Sequence, residues 1–518
     1  MRNDKAESAT DPILDKVLAF SGDNGLFDCG IIVVGLSGGP DSVALLTILK
    51  ELKDRKDIDL DIVAFHCNHH LRPGICDDEA DQVRALCERM GIELKVLDFD
   101  CAGFAKSNHI SEETAGRILR YEAFEQYSKA LEEKYKKQVR IAVAHHKDDL
   151  AETMMMNLFR GSGLEGLVNP KSRSGRIIRP LLCLNKKELT AFLDERGIGY
   201  ATDMTNLTTM GTRNTWRNDI FPRIAELYGE EPSVPLARTY KLLSDDLDFI
   251  SDFSFRAYAG SRVVLDGHPA LKTDGIKDLH PAVKSRVLRL LWQETFGDLI
   301  DFEETNLKEC AQLSCRDVSG EVTLDMPFGR KAYRHGDLFA YATENGVEKV
   351  ACAIARKMGF LLSDGPIDLV IDLGDIPPEG DFSVEIPNSA LKLKARIIEN
   401  KGDLEYNNFL WFCPITAIGE GRITLSNSDG AGTGLHIRRA GSGGGKELKR
   451  LMTDLKIPES ARRLVLFVRL NDDVLWLPGF GHSLGFTNEV SRERYIADKR
   501  EEDVKSDRLV MFAIERKQ

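Results

Sequence analysis

The sequence predicts an α/β protein with an N-terminal doubly wound parallel sheet, followed by a helical domain and a β-rich α+β C-terminal domain. Three observations carry this. Up to residue 222, apolar runs of strand length alternate with segments of helical length, the pattern of βαβ crossovers. From about Glu226 to Cys315 the apolar residues recur at helical spacing, as in "LHPAVKSRVLRLLWQETF" (279–296). Beyond that point short strand-like runs are punctuated by Gly, Pro and Asn, as in "GEVTLDMPFGRKAYRHGDLFAYA". A chain of 518 residues also exceeds what one core serves, and we divide it at 1–222, 223–345 and 346–518.

The elements follow in order. Strands are predicted at "IIVVGL" (31–36), "DIVAFHC" (61–67), "ELKVLDF" (93–99) and "VRIAVAH" (139–145), each an apolar run fit for burial on both faces. Helices are predicted at 41–53, 77–90, 112–135 and 149–160. Ligands of such folds sit at the carboxyl ends of the strands. That rule places Ser37–Ser42, Asn68–Arg72 and His145–Asp149 along one edge of the sheet. Near the C-terminus one further helix is predicted at about 446–455, and "SDGAGTG" (428–434) reads as a loop.

Composition narrows the class. With 42% hydrophobic and 29% charged residues the chain reads as soluble, and the N-terminal twenty residues hold no run fit for a signal peptide or a membrane span. No membrane partner is expected. Ten cysteines are scattered with no CxxC pair, which argues against a zinc ribbon, an iron–sulfur cluster or a dithiol redox site. We expect a reduced, cytoplasmic protein. The net charge of −12 disfavours a nucleic-acid partner overall, but the charge is unevenly spread. Residues 171–187 carry six basic residues and no acid, and 436–469 carry nine against three acids. Each patch suits either a polyanion or a plain solvated face.

The turn after the first strand, Ser37-Gly38-Gly39-Pro40-Asp41-Ser42, has the chemistry of an anion cradle. Two glycines permit tight backbone geometry, successive N–H groups open a helix, and two hydroxyls add donors. Asp41 is placed to help hold Mg²⁺ on a polyphosphate. The turn is not a Walker A loop, since no lysine closes it and the spacing differs. The glycine-rich "GSGGGKE" (441–447) lacks the upstream glycine and the Ser/Thr of such a loop.

SGGxDS after a strand resembles the signature of the PP-loop ATP pyrophosphatase superfamily, whose fold is of the adenine nucleotide alpha hydrolase type. Four further stretches narrow the resemblance: "FHCNHHLRP" (65–73), "TAGRILRYEAF" (114–124), "AHHKDDLAETMMMNLFRGSGLEGL" (144–167) and "DMTNLTTMGTRNTWRNDIFP" (203–222). Together and in order they resemble the bacterial tRNA(Ile)-lysidine synthetase family. The likeness resumes at 434–480, similar to that family's C-terminal module for the tRNA acceptor stem. Two departures stand out: Gly441–Gly445, where many members carry an Asp-Arg-Phe-rich piece, and an enlarged segment at about 360–430.

The resemblance implies an enzyme using ATP and Mg²⁺ to join free L-lysine to C2 of the wobble cytidine of the CAU-anticodon isoleucine tRNA. It implies that Ser37, Gly38, Gly39, Pro40, Asp41 and Ser42 hold ATP. Asp41 then lies near the metal or pairs with an arginine of the Arg117/Arg120 face, and Arg117, His145 and Asp149 join the catalytic set. Asp149 and Glu152, read as lying at the mouth of the site, are the natural partners of a lysine cation; the plainer alternative is that they complement a helix dipole. Arg120, Arg213 and Arg217 are assigned to the tRNA, as are Arg438, Arg439, Lys446, Lys449 and Arg450. The 223–345 domain is expected to contact tRNA, and the basic 171–187 segment to lie near the anticodon stem. The Met154–Met156 run reads as core filling. The family is often dimeric, which leaves a homodimer open. The nearest rival is a tRNA thiolase of the same superfamily, which the absent CxxC argues against.

Overall fold

In the computed structural model, the apolar run Ile31–Gly35 is β1, the central strand of a six-stranded sheet. The structure describes residues 11–68, 75–201, 212–300, 302–399, 409–415, 421–431, 434–438, 445–471, 473–479 and 508–517. The chain divides into two units, Met1–Phe249 and Ile250–Gln518.

In the first unit, β2 (Asp61–Asn68), β3 (Glu93–Asp98), β4 (Val139–Ala142), β5 (Arg173–Ser174) and β6 (Ile177–Ile178) complete the sheet in the order β3-β2-β1-β4-β6-β5. All neighbours are parallel except β5 against β6. The helices are α1 (Pro12–Asp23), α2 (Pro40–Asp54), α3 (Ile75–Met90), α4 (Cys101–Asn108), α5 (Glu112–Tyr135), α6 (Lys147–Phe159), α7 (Leu164–Leu167) and α8 (Lys186–Glu195). The predicted strands and helices are all present, with ends shifted by at most three residues.

The period of two along β1 explains the layering. Ile32 and Val34 pack with Leu45 and Leu49 of α2 and Leu189 and Phe192 of α8. Ile31 and Val33 face the other way, onto Phe65, Ala123, Phe124 and Leu131. Full burial of each such side chain contributes about 1.5–3 kcal/mol, so this strand is held from both faces. Its last residue is Gly35, where a Cβ would lie 2.9 Å from the Phe124 ring and so only glycine fits without a shift. The connection from β1 runs through α2 to β2 on one side, while β4 pairs with β1 on the other, Val34 opposite Ala142. That divergence opens a crevice at the carboxyl ends of β1 and β4.

The second unit contains a five-stranded antiparallel sheet built from Arg262–Leu265, His268–Lys272, Glu321–Met326, Arg330–His335 and Leu338–Thr343. Helices Pro281–Phe296 and Glu304–Cys315 cover it through Trp292, which stacks on Phe302 at 4.2 Å. The hairpin 262–272 falls inside the stretch read as helical. Its turn is Asp266-Gly267 with φ of +46° and +87°, the Asp-Gly geometry that favours a two-residue hairpin. A six-stranded and a four-stranded sheet follow, sharing a core of Trp411, Trp476 and Phe512. The C-terminal helix spans Leu448–Asp454.

Candidate active site

The turn between β1 and α2 is built as an open cradle. Gly38 has φ +86°, a conformation that side-chain-bearing residues resist, and Gly39 is the N-cap of α2 with no side-chain cap. The first-turn N–H groups of α2 therefore remain available to an anion. The loop is braced from within: the Ser37 N–H donates to Ser42 Oγ at 3.1 Å, and Ser42 Oγ donates to the Gly39 carbonyl at 3.0 Å. The backbone N–H of Ala201 donates to the Gly38 carbonyl at 3.0 Å. Ser42 is buried while Asp41, one residue before it, reaches out of the turn.

Across the crevice, the end of β4 leads into α6 through His145 and His146. His146 is the N-cap of α6, and its buried ring accepts from the Asp148 N–H through Nδ1 at 3.2 Å. Its Nε2 lies 3.4 Å from Asp149 Oδ2 and 3.8 Å from Asp41 Oδ1. In return, Asp149 Oδ2 accepts from the His146 N–H at 3.1 Å, closing a capping box. Asp149 thus plays the helix-terminal part the sequence left open, and it does so while facing the crevice. Burial pushes its carboxyl up, but the neighbouring His146, that N–H bond, His145 and Arg217 outweigh it and hold it below the usual carboxylate range.

His145 points its Nδ1 at Arg179, whose Nε donates to it at 3.1 Å. Burial, opposed by Asp149 and reinforced by Arg179, pushes this imidazole down to about 4. It is a neutral ring with its proton on Nε2 at physiological pH. Arg179 is itself buried, and Nη1 donates to the Lys171 carbonyl at 2.7 Å.

One turn further along α6, Glu152 has no exposed side-chain surface. It lies deeper than the mouth position read from the sequence, because the face of α6 that carries it turns inward. Arg217 grips it with two bonds, Nε to Oε1 at 2.6 Å and Nη2 to Oε2 at 3.1 Å, and also reaches Asp149 Oδ1 at 3.1 Å. Arg213 adds Nε to Oε2 at 3.2 Å and donates to Thr153 Oγ1 at 2.8 Å. Burial raises the Glu152 carboxyl, and Arg217 opposes that. Arg217 sits in a π-helical turn, Trp216–Ile220, between the helices Thr212–Thr215 and Phe221–Tyr228. Trp216, buried, wedges the turn against Ala151 and Phe221, with Met155 and Met156 beside it, so the methionine run fills core.

The sequence reading left Asp41 beside a metal or an arginine; the cation it meets in the structure is a lysine of the basic 171–187 segment. Lys186 Nζ donates to Asp41 Oδ1 at 2.5 Å, across 145 residues of sequence. The signal was present in the basic 171–187 segment, but nothing in its spacing tied that lysine to the turn. Arg117 is exposed and lies 5.6 Å over the Tyr121 ring, and Arg120 is exposed on the same helix.

In the second unit Lys449 and Arg450 are exposed on the helix Leu448–Asp454, whose Leu448, Leu451 and Met452 are buried. Arg438 and Lys446 lie on paired strands, opposite Gly445 and Ile437. Arg439 falls outside the described residues, as do His69–Arg72 and Asp203–Asn206. No cluster of metal-ligating side chains occurs among the described residues. Burial pushes the thiols of Cys67 and Cys183 up to about 12, which leaves them inert.

This geometry can be set beside known proteins. The family model of the PP-loop domain matches residues 13–224, and that of the TilS substrate C-terminal domain matches 430–497. A tRNA(Ile)-lysidine synthase of Porphyromonas gingivalis is 30% identical over 483 residues, 90% of this chain and 93% of that protein. The chain belongs to the tRNA(Ile)-lysidine synthase family. Other members of the family are 28% identical over 456 residues in Caldanaerobacter subterraneus, covering 88% of this chain and 90% of the relative. In Geobacter sulfurreducens the figures are 29% over 496 residues, 92% and 94%. A tRNA(Ile)-lysidine synthase is a PP-loop enzyme, and the thiolase alternative gives way to it. No helix among the described residues is long and apolar enough to cross a membrane.

Proposed function

We propose that this enzyme ligates free L-lysine to C2 of the wobble cytidine of CAU-anticodon tRNA(Ile), in two steps at the crevice between β1 and β4. The observation that carries the reading is the convergence there of an uncapped helix N-terminus behind Ser37–Ser42 with the acidic start of α6. In the first step the cytosine C2 oxygen attacks the α-phosphorus of ATP. The new O–P bond forms as the bond to the β-phosphate breaks, and pyrophosphate leaves with the electron pair. In the second step the lysine ε-amine attacks C2, the C2–O bond breaks, AMP departs, and the nitrogen sheds its extra proton.

The open N–H groups of α2 and the Ser37 hydroxyl fit the ATP phosphates, with Ser42 holding the loop in shape behind them. Asp41 is the carboxylate that would hold Mg²⁺, an ion that takes one or two carboxylates beside phosphate oxygens and there neutralises developing charge. Neutral His145 offers its Nε2–H to the transferring group, and Arg117 supplies charge from the neighbouring face. Asp149, kept ionised, holds the cationic end of the lysine substrate, and Glu152 places a second carboxylate behind it. Arg213 and Arg217 order those acids and present cationic surface toward the tRNA, as Arg120 does from α5. In the C-terminal unit Arg438, Arg439, Lys446, Lys449 and Arg450 serve the acceptor stem. We assign the reaction to the cytoplasm, and a homodimer is compatible with it.

The test is incorporation of labelled lysine into unmodified CAU-anticodon tRNA(Ile) with Mg-ATP, with Asp41→Ala as the control. Label that survives mild base and is lost in the variant supports lysidine formation over aminoacylation. AMP release that depends on tRNA but occurs without lysine incorporation would keep the adenylation and sink the lysine reading.

A further inference from the structure

The SGGPDS turn contains no cation, yet a polyphosphate brings several negative charges into it. A P-loop meets the same demand with a lysine inside the loop. Here the cation comes from elsewhere in the chain. Lys186 is the first residue of α8, and its Nζ lies 2.5 Å from Asp41 Oδ1 at the lip of the cradle.

Its base is fixed on several sides. The Lys186 N–H donates to Asp148 Oδ2 at 2.8 Å, which ties it to the start of α6. Asn185 and Glu188 close a capping box around it, with bonds of 2.8 and 2.7 Å. The Lys147 N–H donates to the Leu184 carbonyl at 2.8 Å, and Leu184 and Leu189 are fully buried. A rigid base therefore carries a flexible stem. Its charged end stays in reach of solvent, with 42% of the lysine side chain and 31% of Asp41 exposed. An ion pair this exposed contributes little to stability, so the fold has small need of it. The neighbour Lys187 pairs with Glu231 in the same way, but with its side chain 81% exposed and no bond to the turn.

We infer that Lys186 is the phosphate-binding cation of the ATP site, parked on Asp41 and transferred to the β- and γ-phosphates, the part that leaves as pyrophosphate. This rests on the ATP reading above. Asp41 is thereby freed to meet the metal as the nucleotide enters, and the leaving group keeps a cation beside it as its charge develops.

The experiment is equilibrium binding of Mg-ATP, Mg-pyrophosphate and AMP to the full-length protein without tRNA or lysine. The variants are Lys186→Ala, Lys186→Arg and Lys187→Ala. Loss of one charge-assisted contact predicts roughly tenfold weaker ATP and pyrophosphate for Lys186→Ala, with AMP changed less than about twofold. Lys186→Arg should recover part of the loss, and Lys187→Ala should match the parent. Asp41→Asn and the double variant Asp41→Asn/Lys186→Ala separate phosphate binding from mere masking of Asp41. A further loss in the double variant supports the assignment; equal affinity in the two overturns it. Equal weakening of AMP and ATP would also overturn it, as a local distortion. If the parent protein itself binds no ATP, the ATP reading fails first and the assignment falls with it.

Discussion

Arg217→Met should unfold the first unit early, and by an amount that depends on pH. Glu152 has no exposed surface, takes two bonds from Arg217 at 2.6 and 3.1 Å, and among the described residues keeps only Arg213 at 3.2 Å once they are gone. Breaking a buried ion pair from one side costs about 3–5 kcal/mol when the remaining charge is left alone. With Arg213 still present, the loss should be roughly 2–3 kcal/mol. For a unit of this size that lowers the melting transition by about 5–10 °C. The pH dependence follows from burial, which already raises the Glu152 carboxyl above its unfolded value. Removing Arg217 raises it further. A group raised on folding gives its relative stability below the unfolded value, near about 4.3, and loses it as pH climbs through the folded one. The variant's deficit should therefore be larger at pH about 8 than at pH about 5.5, since a raised carboxyl takes up its proton as pH falls. Calorimetry of the parent and variant at both pH values measures this. Adding Glu152→Gln to the variant should recover part of the loss and abolish the pH dependence. A deficit below about 1 kcal/mol, or one equal at both pH values, would refute the argument, because that is the behaviour of a surface pair.

Two other outcomes are expected. His145, held down to about 4, should remain a neutral Nε2–H imidazole in ¹⁵N NMR of the native protein at pH about 6, where an unfolded histidine, near about 6.5, is mostly charged. Its contribution to stability is accordingly complete above the unfolded value and lost as pH falls from there toward about 4; a resonance titrating near the unfolded value would contradict the burial argument. Among the thiols, exposed Cys315, with Lys284 Nζ at 2.8 Å, should react with a disulfide reagent well before Cys67 and Cys183, whose thiols are pushed up to about 12. Mass mapping of the first labelled cysteine decides this, and early labelling of Cys183 would count against it.

The centre of the first sheet was legible because β1 and β4 are buried on both faces and so read as unbroken apolar runs, IIVVG above all, whereas the two-residue strands β5 and β6 carry no such signal. The glycine turn was legible because its residue types are tied to a backbone shape. The hairpin at 262–272 was harder: "RVVLDGHPALK" has a turn signal, but it lies between two strongly helical stretches. Partnership among charges was the least visible feature. The sequence shows that arginines and lysines are present, yet Lys186 reaches Asp41 across 145 residues, and Arg213 and Arg217 spend bonds on Glu152. Long cationic side chains serve many partners equally well by type, and only the fold's geometry selects among them.

Trp216, wedged beneath the arginine pair, has an optical consequence. It is the single tryptophan in residues 1–249, the other three lying at 292, 411 and 476. Phe159 and Phe221 lie 5.4 and 5.7 Å from its ring, and its indole is buried in the same π turn that carries Arg217. With Trp292, Trp411 and Trp476 changed to phenylalanine, its emission would report on the acid-gripping turn by itself. A rearrangement of the Asp149–Glu152–Arg217 cluster could then be followed as a change in intrinsic fluorescence, with no label attached to the protein.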